Sequence, residues 1–528
     1  MTNWGWRLAS ELQERLRLLS QESGLLANCQ RGIEKEGLRV DPHGWLSTRA
    51  HPASLGSALT HPHITTDYSE ALLELITGTH DSAKGVLDEL NWVHRLAMTG
   101  MDNELLWNHS MPSLLPAESD IPIAWYGNSN TGMLKHVYRR GLAVRYGKLM
   151  QCIAGLHYNF SLPDTLWRHK GLFPAPGPDA QSEGYVGLIR NFVRHSWLLM
   201  YLFGASPAVS TNFLRGDLDH GLETLNPTTA FLPWATSLRM SDLGYQSKAQ
   251  ATLKLCYNDL PTFLDTLYEA VSTPWPEYEA IGTQRDGQWL QLNCNLLQIE
   301  NEYYSTIRPK RTTGRGERPI TALAERGVQY IEVRCLDIDP FEPAGISAHT
   351  VRFMDAFLLF CALEHSPSFG DDGYCVESAQ NFNKVVARGR EPELTLFRGG
   401  MPVGLDEWAN EVIAKVADCA DLLATQFNDS TYRDAVQTQQ LKVDDTNLTP
   451  SAQVLAAIDQ ERSFHEFALK TSQLHTDHFK QAGLTAKEQV LADQMRDTSL
   501  AEQQAIEASD AVSFAQYVKD FHAALKAP

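Results

Sequence analysis

The sequence predicts an α+β protein that combines helices with an antiparallel sheet of one polar face and continues into a mainly helical part. Several short segments alternate apolar residues with Glu, His or Asn, as expected of strands that bury only one face. Beyond about residue 345, the apolar spacing becomes mostly helical. The chain has 528 residues, of which 43% are apolar and 21% charged. This ordinary usage excludes disordered, collagen-like and coiled-coil proteins.

The acidic charge and the lack of long apolar runs argue against several further classes of protein. Lys and Arg number 45 against 64 Asp and Glu, so the formal charge is -19, which disfavours nucleic-acid and anionic-membrane partners. The longest apolar run, 197–209, is too short to span a membrane, since spanning needs about 20 residues. The N-terminus lacks the apolar core of a signal peptide, and the eight cysteines form no C-x-x-C pair. We therefore expect a soluble cytoplasmic protein with free thiols.

The chain divides into three parts that we expect to form one large unit, residues 1–528. They are an N-terminal helix (1–27), a sheet-containing core (28–345) and a mainly helical C-terminal part (346–528). In the last part, the periodicity predicts helices at 351–363, 406–427, 452–467 and 485–525.

The predicted strands carry polar residues two positions apart, and such residues point to the same face of a strand. The pairs are Glu34 and Glu36, His157 and Asn159, Asn293 and Asn295, Glu300 and Glu302, and Glu332 and Arg334. A solvated face is the plain alternative, but solvated faces are usually rich in Lys, Thr and Ser. Glu, His and Asn instead coordinate metals or orient substrates, so the pattern favours one sheet whose polar face lines a cavity.

The segment ITTDYSEALLELIT is ambiguous between helix and strand. Glu70 and Glu74 would share a helix face, whereas its Thr and Ile residues favour a strand. In a strand, Glu74 would be a lone carboxylate in an apolar row, which is costly without a cation. A buried Glu paired with Arg or Lys is the alternative explanation.

These acids and a basic turn together suggest a site for a divalent ion and a polyphosphate. The possible ligands are Glu34, Glu36, Asp67, Glu74 and Glu332, with His157 as a nitrogen ligand. Arg308, Lys310 and Arg311 precede a glycine-containing loop and form either a solvated turn or a triphosphate clamp. The sequence contains no Walker A motif, and no dinucleotide fingerprint follows a convincing strand.

Eight ordered motifs resemble the proteobacterial type 1 family of glutamate–cysteine ligases, and the likeness covers roughly residues 28 to 365. They are QRGIEKEGLRV, LGSALTHPHITTDYSEALLELIT, YGNSNTG, GLHYNFSLP, YLFGASPA, PWATSLRMSDLGYQSK, LQIENEYYSTIRPKR and YIEVRCLDIDPF. The resemblance implies a glutamine-synthetase-like fold, a curved antiparallel sheet forming a funnel surrounded by helices, with a strand at 71–77. It also implies that ATP, L-glutamate and L-cysteine give gamma-glutamylcysteine, ADP and phosphate through a gamma-glutamyl phosphate, the first step of glutathione synthesis.

The resemblance also assigns roles to residues. It implies magnesium ligands, with manganese as the alternative ion, at Glu34, Glu36, Asp67, Glu74, His157 and Glu332. It implies catalysis by Arg334, glutamate contacts at Arg239 and Asn159, nucleotide contacts at Arg308, Lys310 and Arg311, and a cysteine pocket of Tyr68, Tyr138, Leu142, Tyr245 and Tyr304. ATP would be a co-substrate, and glutathione a feedback inhibitor.

Two departures from the family pattern are visible. The first motif reads EKEG where E-R-E-T is expected, and Tyr68 stands where Phe is expected. Neither removes a ligand, but Tyr68 changes the polarity of the implied cysteine pocket.

Three other functions stay open. A ligase of the same fold could use another amine, a metal-dependent amidohydrolase could use the carboxylate–His cluster to activate water, and a regulatory protein could keep the fold without catalysis. An amine panel separates the first alternative, and turnover without ATP would favour the second. The intact run of possible ligands argues against the third.

Overall fold

The structure of the chain is a computed structural model. It describes residues 4–22, 24–169, 171–173, 177, 179–215, 220–243, 248–251, 253–370 and 373–528. Tyr245, one of the residues implied for the cysteine pocket, lies outside these ranges.

Helices and short strands alternate along the first two-thirds of the chain, and helices dominate the rest. The strands are β1 (Gln30–Val40), β2 (Ile64–Thr66), β3 (Leu72–Ile76), β4 (Leu105–Trp107), β5 (Leu156–Ser161), β6 (Ala208–Ser210), β7 (Glu223–Asn226), β8 (Thr229–Phe231), β9 (Gln284–Arg285), β10 (Gln288–Trp289), β11 (Ile307–Lys310), β12 (Tyr330–Leu336), β13 (Thr395–Arg398) and β14 (Met401–Gly404). The helices are α1 (Trp4–Gln21), α2 (Ala83–Gly100), α3 (Asn130–Tyr146), α4 (Asp164–Trp167), α5 (Ala180–Phe203), α6 (Thr211–Leu214), α7 (Lys248–Ala251), α8 (Leu260–Ser272), α9 (Pro276–Ile281), α10 (Pro319–Arg326), α11 (Ala348–Leu363), α12 (Val376–Arg388), α13 (Leu405–Gln426), α14 (Thr431–Asp444), α15 (Pro450–Glu461), α16 (Phe464–Ala482), α17 (Ala486–Ala508) and α18 (Phe514–Ala523).

The central sheet is antiparallel and, in the described ranges, has seven strands in the order β11-β12-β5-β1-β3-β2, with β4 also pairing with β1. Its register brings the polar residues together, because directly opposed residues share a face. Glu34 lies opposite His157, and Glu36 lies opposite Glu74. The ambiguous segment therefore contains a strand, β3.

The other face of the sheet is apolar and packs on helices. Ile33, Leu73, Tyr158 and Val333 are at most 1% exposed and belong to the main core cluster, which includes residues of α2, α5 and α11. Burial of this face holds the strands in a fixed register, since a slip of one residue would turn every polar side chain into the core.

A buried polar network joins this apolar face to the C-terminal helices. Arg31 of β1 pairs with Asp355 of α11, with the guanidinium nitrogen 3.2 Å from the carboxylate oxygen. The hydroxyls of Tyr158 and Tyr432 donate to the two oxygens of the same carboxylate, at 2.6 and 2.7 Å. The network ties the sheet to α11 and α14.

The prediction of a strand with alternating polar residues in 291–303 is wrong. In this segment, Asn295 makes only an isolated bridge with Pro274, and 300–302 is a single 3-10 turn. The polar side chains instead hold a loop: Asn293 accepts from the backbone of Asn295 and donates to the carbonyl of Gln298. Such local side-chain bonds compete with a strand ladder.

The buried glutamates of this loop form ion pairs. Glu302 pairs with Arg145, at 3.0 Å between nitrogen and oxygen and with both side chains fully buried. Glu300 pairs with Arg318 at 2.9 Å. Their burial reflects these structural contacts.

Three predicted helix bounds also differ from the structure. Helix α1 ends at Gln21, short of residue 27. The predicted helix 452–467 is broken at Arg462, which adopts positive φ, before Ser463 caps α16. The predicted helix 485–525 is two helices, and Ser513 caps the second. Periodicity does not detect such breaks, because the apolar spacing continues across them. None of the helices in the described ranges combines the length and apolar character needed to cross a bilayer.

Candidate active site

Three strands of the sheet bring Glu34, His157 and Glu332 together, and the possible ligand atoms of the three side chains lie within 4.8 Å of one another. The imidazole Nδ1 is 3.1 Å from Glu34 and 3.7 Å from Glu332. His157 and Glu332 are buried, and the Glu34 side chain is 23% exposed. The sequence-predicted set therefore contains a compact group of three donors.

Three further acids lie near this group, namely Glu36, Glu74 and Asp67. Glu36 accepts a hydrogen bond from the Gly155 backbone, and its second oxygen is 3.8 Å from His157 Nε2. Burial, followed by the charges of Glu34, Asp67 and Glu36, raises the pKa of Glu74 well above its usual value. Burial also raises the pKa of Glu36, with a smaller contribution from Asp67. Excess negative charge of this kind suits a cation.

The donor set fits a hard divalent ion. Carboxylate oxygens with one imidazole are typical ligands of Mg²⁺ or Mn²⁺. Two buried oxygens of the site, Glu332 Oε2 and Asn159 Oδ1, have no hydrogen-bond partner among the described residues, although Lys310 Nζ lies 3.4 Å from the first. A bound ion or its water shell would satisfy them, since buried polar atoms are rarely left unpaired.

Arg334 and Asn159 line the same polar face. Arg334 donates to Glu332 at 3.2 Å and contacts His157 Nδ1 at 3.5 Å. Asn159 donates to Glu34 at 3.0 Å. Both side chains therefore lie beside the three-residue group, as the sequence predicted.

Arg239 lies against the backbone of β12, the strand that carries Glu332 and Arg334. Its guanidinium donates to the Arg334 carbonyl at 2.8 Å and to the Leu336 carbonyl at 3.3 Å, and it lies 3.8 Å from Asp337. A Cβ atom on Gly155 would come within 2.0 Å of this guanidinium, so only glycine fits there. Arg239 therefore lies next to Arg334, and its hydrogen bonds also support the backbone of β12.

A cavity of about 310 Å³ lies beside the edge strand β11. Arg308, Lys310 and Arg311 line it together with aromatic residues that include Tyr257 and Tyr303. Burial, followed by the nearby charge of Arg334, lowers the pKa of Arg308 to about 10, so Arg308 remains charged at neutral pH. The cavity pairs cationic groups with aromatic surface.

Lys310 and Glu332 connect the cavity to the acidic group. Lys310 Nζ lies 3.4 Å from Glu332 Oε2. Burial alone would raise the pKa of Glu332, but the charges of Lys310 and Arg334 hold it well below its usual range. Glu332 is therefore ionised at neutral pH, and its contact with Lys310 links the acidic group to the cavity.

The structure describes four of the residues implied for the cysteine pocket, namely Tyr68, Tyr138, Leu142 and Tyr304. Tyr68 and Leu142 are buried in one cluster, and Tyr138 packs against it. The hydroxyl of Tyr304 accepts from Gln151 at 3.2 Å. Burial, with smaller effects of nearby groups including Arg139 and Tyr304, raises the pKa of Tyr68, so its hydroxyl stays neutral.

Arg139 was missed by the sequence reasoning. It follows Tyr138 on α3, donates to the Asp67 carbonyl and lies 3.9 Å from the Asp67 carboxylate. Its guanidinium also stacks over the Tyr126 ring, 4.7 Å from the centroid. The only sequence signal was its position next to Tyr138 in the segment VYRR, which by itself resembles an ordinary basic helix surface.

Comparisons with known proteins identify the family of the chain. A family profile described as glutamate-cysteine ligase matches residues 16–385. Relatives named glutamate–cysteine ligase include those of Bordetella parapertussis, 60% identical over 98% of both chains, and Azotobacter vinelandii, 55% identical over 98% of this chain and 99% of the relative.

A solved structure confirms the predicted fold class. The glutamate–cysteine ligase of Francisella tularensis, determined in complex with AMP, superposes with a TM-score of 0.89 at 37% identity, covering 94% of this chain and 98% of that one. A bifunctional glutathione synthetase from Pasteurella multocida, 24% identical over 88% of this chain and 54% of that one, shares the fold with a TM-score of 0.67. The chain therefore belongs to the glutamate–cysteine ligase family of enzymes.

Proposed function

We propose that this protein joins the gamma-carboxylate of L-glutamate to the amine of L-cysteine at the expense of ATP, by way of a gamma-glutamyl phosphate. The products are gamma-glutamylcysteine, ADP and phosphate. A carboxylate cannot be attacked directly by an amine, because its leaving group would be oxide. Transfer of the terminal phosphoryl group to the carboxylate supplies a good leaving group.

One observation carries the proposal: Glu332 of the acidic group contacts Lys310, which lines the basic cavity. It lies 3.7 Å from His157 on one side and 3.4 Å from Lys310 on the other. A nucleotide whose phosphates contact Lys310 would therefore extend its terminal phosphate toward Glu34, His157 and Glu332. This is the arrangement that phosphoryl transfer needs, because the two anionic reactants must meet with their charge cancelled.

Different residues of the chain would hold the ion, the base and the phosphates in the first step. Bound Mg²⁺ would neutralise the phosphate charge and polarise the transferring group. Glu34, His157 and Glu332 would hold the ion, with Glu36, Asp67 and Glu74 as further ligands. The aromatic wall of the cavity would take the base, and Arg308 and Arg311 would contact the phosphates.

In the second step, the amine attacks the acyl phosphate and phosphate departs. Arg334 borders the acidic group and remains cationic, so it can stabilise negative charge as the phosphoryl group moves. Arg239 and Asn159 would orient the glutamate. No covalent enzyme nucleophile is required, because the activated intermediate forms on the substrate.

Selection of cysteine would depend on shape. Tyr68, Tyr138, Leu142 and Tyr304 present aromatic and apolar surface, which suits a weakly polar thiol. A pocket of this kind rejects near-isosteres poorly, since a small change in an apolar side chain alters binding by only about 1–3 kcal/mol. We therefore expect 2-aminobutyrate to support ADP release, and complete inactivity of 2-aminobutyrate would contradict this account of the pocket.

The test is ADP release by the purified protein with ATP and Mg²⁺, with glutamate or cysteine omitted in turn. Full release should need both amino acids, and gamma-glutamylcysteine should appear in equal amount. ADP release that does not depend on glutamate would contradict the proposal. Glutamine or amide hydrolysis without ATP would favour the amidohydrolase alternative. A cytoplasmic location and inhibition by glutathione stay predictions.

A further inference from the structure

The N-terminal end of helix α3 is held by residues near the C-terminus of the chain. Asn128 and Asn130 donate their backbone N–H groups to the carboxylates of Glu507 and Asp510, at 2.8 and 2.6 Å. The Asn130 side chain donates to the Val512 carbonyl at 3.0 Å. Residues 503–522, the end of α17 and most of α18, are called the C-terminal clamp below.

These contacts satisfy groups that the helix itself leaves unpaired. The first N–H groups of any helix lack partners within the helix, and negative charge is favourable there. Ser129 caps the Gly132 N–H of α3, and Asp510 takes the N–H of Asn130, which is only 6% exposed. The two carboxylates therefore fix where and at what angle α3 begins.

The C-terminal clamp also packs closely against α3 and the residues before it. Gly127 has a φ of +83°, and a Cβ atom there would come within 2.2 Å of the Gln503 side chain. Val518 of α18 is buried against Val137 of α3, and Tyr138 packs on the same cluster. The clamp thus contacts the helix along more than two turns.

Helix α3 carries side chains on the substrate side of the site. Tyr138 and Leu142 belong to the implied cysteine pocket, and Arg139 contacts Asp67. The possible metal ligands lie elsewhere, on or beside the sheet. Within the described ranges, no hydrogen bond from the clamp reaches the strands that carry them.

We propose that the C-terminal clamp positions α3 and thereby sets the affinity for the amine substrate. The inference rests on the proposed function, because it assigns the pocket on α3 to cysteine. Glu507 and Asp510 are positioning residues, since they act through the start of α3 and touch no reacting group. A merely structural clamp would change all kinetic parameters together or none.

The test compares Asp510→Ala, two residues beyond the end of α17, with Glu502→Ala, at an exposed position on α17. Loss of the capping carboxylate should raise KM for cysteine about fivefold. KM for ATP and for glutamate should stay within about twofold of the wild type, because ATP and glutamate are held by other elements. Asp510→Asn keeps an acceptor oxygen and should recover most of the affinity, while Glu502→Ala should match the wild type.

Hydrogen exchange of the intact protein gives a second readout. Peptides covering residues 128–146 should exchange faster in Asp510→Ala than in Glu502→Ala. If Asp510→Ala does not fold, Glu507→Ala, which loses the bonds from the exposed Asn128 amide and from the Gln503 side chain, should show the same selective change in smaller measure.

The two possible failures are distinguishable. Equal changes in all three KM values, or an unchanged KM for cysteine, would overturn the inference while the wild type still turns over. Absence of cysteine-dependent ADP release in the wild type would instead overturn the proposed function.

Discussion

Glu332 lies beside one imidazole and two cationic side chains. Its carboxylate lies within 4 Å of His157, Lys310 and Arg334. It is 1% exposed, and one of its oxygens has no hydrogen-bond partner in the part of the chain that the structure describes. A buried carboxylate with spare acceptor capacity is well suited to hold a cation while remaining ionised.

Glu332→Gln should therefore lower kcat for ADP release at least about a hundredfold, because the amide keeps the size but loses the charge that holds the ion. The measurement is steady-state ADP release at saturating Mg²⁺. Glu325→Gln, at an exposed position on α10, is the matched control and should keep full activity. A Glu332→Gln variant that retains a third of the wild-type rate would contradict the assignment.

Lys310→Met should raise KM for ATP about tenfold, since one cationic contact to phosphate is lost. KM for cysteine should change little, because Tyr138 and Leu142, which we propose to contact cysteine, lie on α3 and not on β11. Lys487→Met, at an exposed position on α17, serves as the control. A larger effect on cysteine than on ATP would mean that the basic cavity does not take the nucleotide.

That Glu34, His157 and Glu332 hold a metal stays a prediction. Alternation in the sequence did predict their shared polar face, because residues two apart in a strand point the same way. It could not predict Arg139. The position of that guanidinium depends on how α3 packs against Asp67 and Tyr126, which no local pattern encodes.

Among the elements, alternation succeeded where an apolar face also had a partner layer. Strands β1, β5 and β12 bury their apolar residues against helices, so their polar residues face the site. In the segment 291–303, the same spacing of Asn and Glu belongs to a loop, because these side chains bond to nearby backbone and to Arg145 and Arg318. Spacing alone cannot distinguish the two cases.

The start of α17 allows a test of capping with a defined pH dependence. Thr485 and Glu488 form a capping box, and Glu488 also pairs with Arg95 of α2 at 2.6 Å. Hydrogen bonds from Thr485 and then from Arg95 lower the pKa of Glu488. The stabilisation is therefore present above the unfolded value of about 4.3 and is lost as the pH falls through the lower, folded pKa.

Glu488→Gln should reduce the free energy of unfolding by about 0.5–1 kcal/mol at pH 7, a value limited by solvent screening of the partly exposed pair. The difference should shrink as the pH falls below about 4, since the wild-type carboxyl then becomes neutral too. Urea unfolding at a series of pH values measures it, with Glu502→Gln as the control. A difference in the free energy of unfolding that grows toward low pH would contradict the predicted direction of the pH dependence.

For the whole molecule, the Arg31–Asp355 network joins the sheet to the helices that follow it. The change of periodicity near residue 345 predicts a sheet-containing part and a helical part. It does not predict the ion pair that joins them, because buried ion pairs between distant segments leave no local signal. Arg31 and Asp355 lie 324 positions apart. The division into three parts stays a prediction.

Asp355→Asn should lower the free energy of unfolding by about 3 kcal/mol, because it leaves the buried Arg31 without a counter-charge. Chemical denaturation measures the loss, and Asp459→Asn, at an exposed position on α15, should be neutral. Equal stability of the two variants would show that the network does not join the two parts.

The central claim is that Glu34, His157 and Glu332 hold a divalent ion beside a nucleotide bound at Lys310. The most direct measurement is electron paramagnetic resonance of Mn²⁺ titrated into the protein with a non-hydrolysable ATP analogue. The wild type should bind Mn²⁺ at a site with phosphorus hyperfine coupling, and Glu332→Gln should lose that site while Glu325→Gln keeps it. Equal Mn²⁺ binding and the same coupling in all three proteins would contradict the claim.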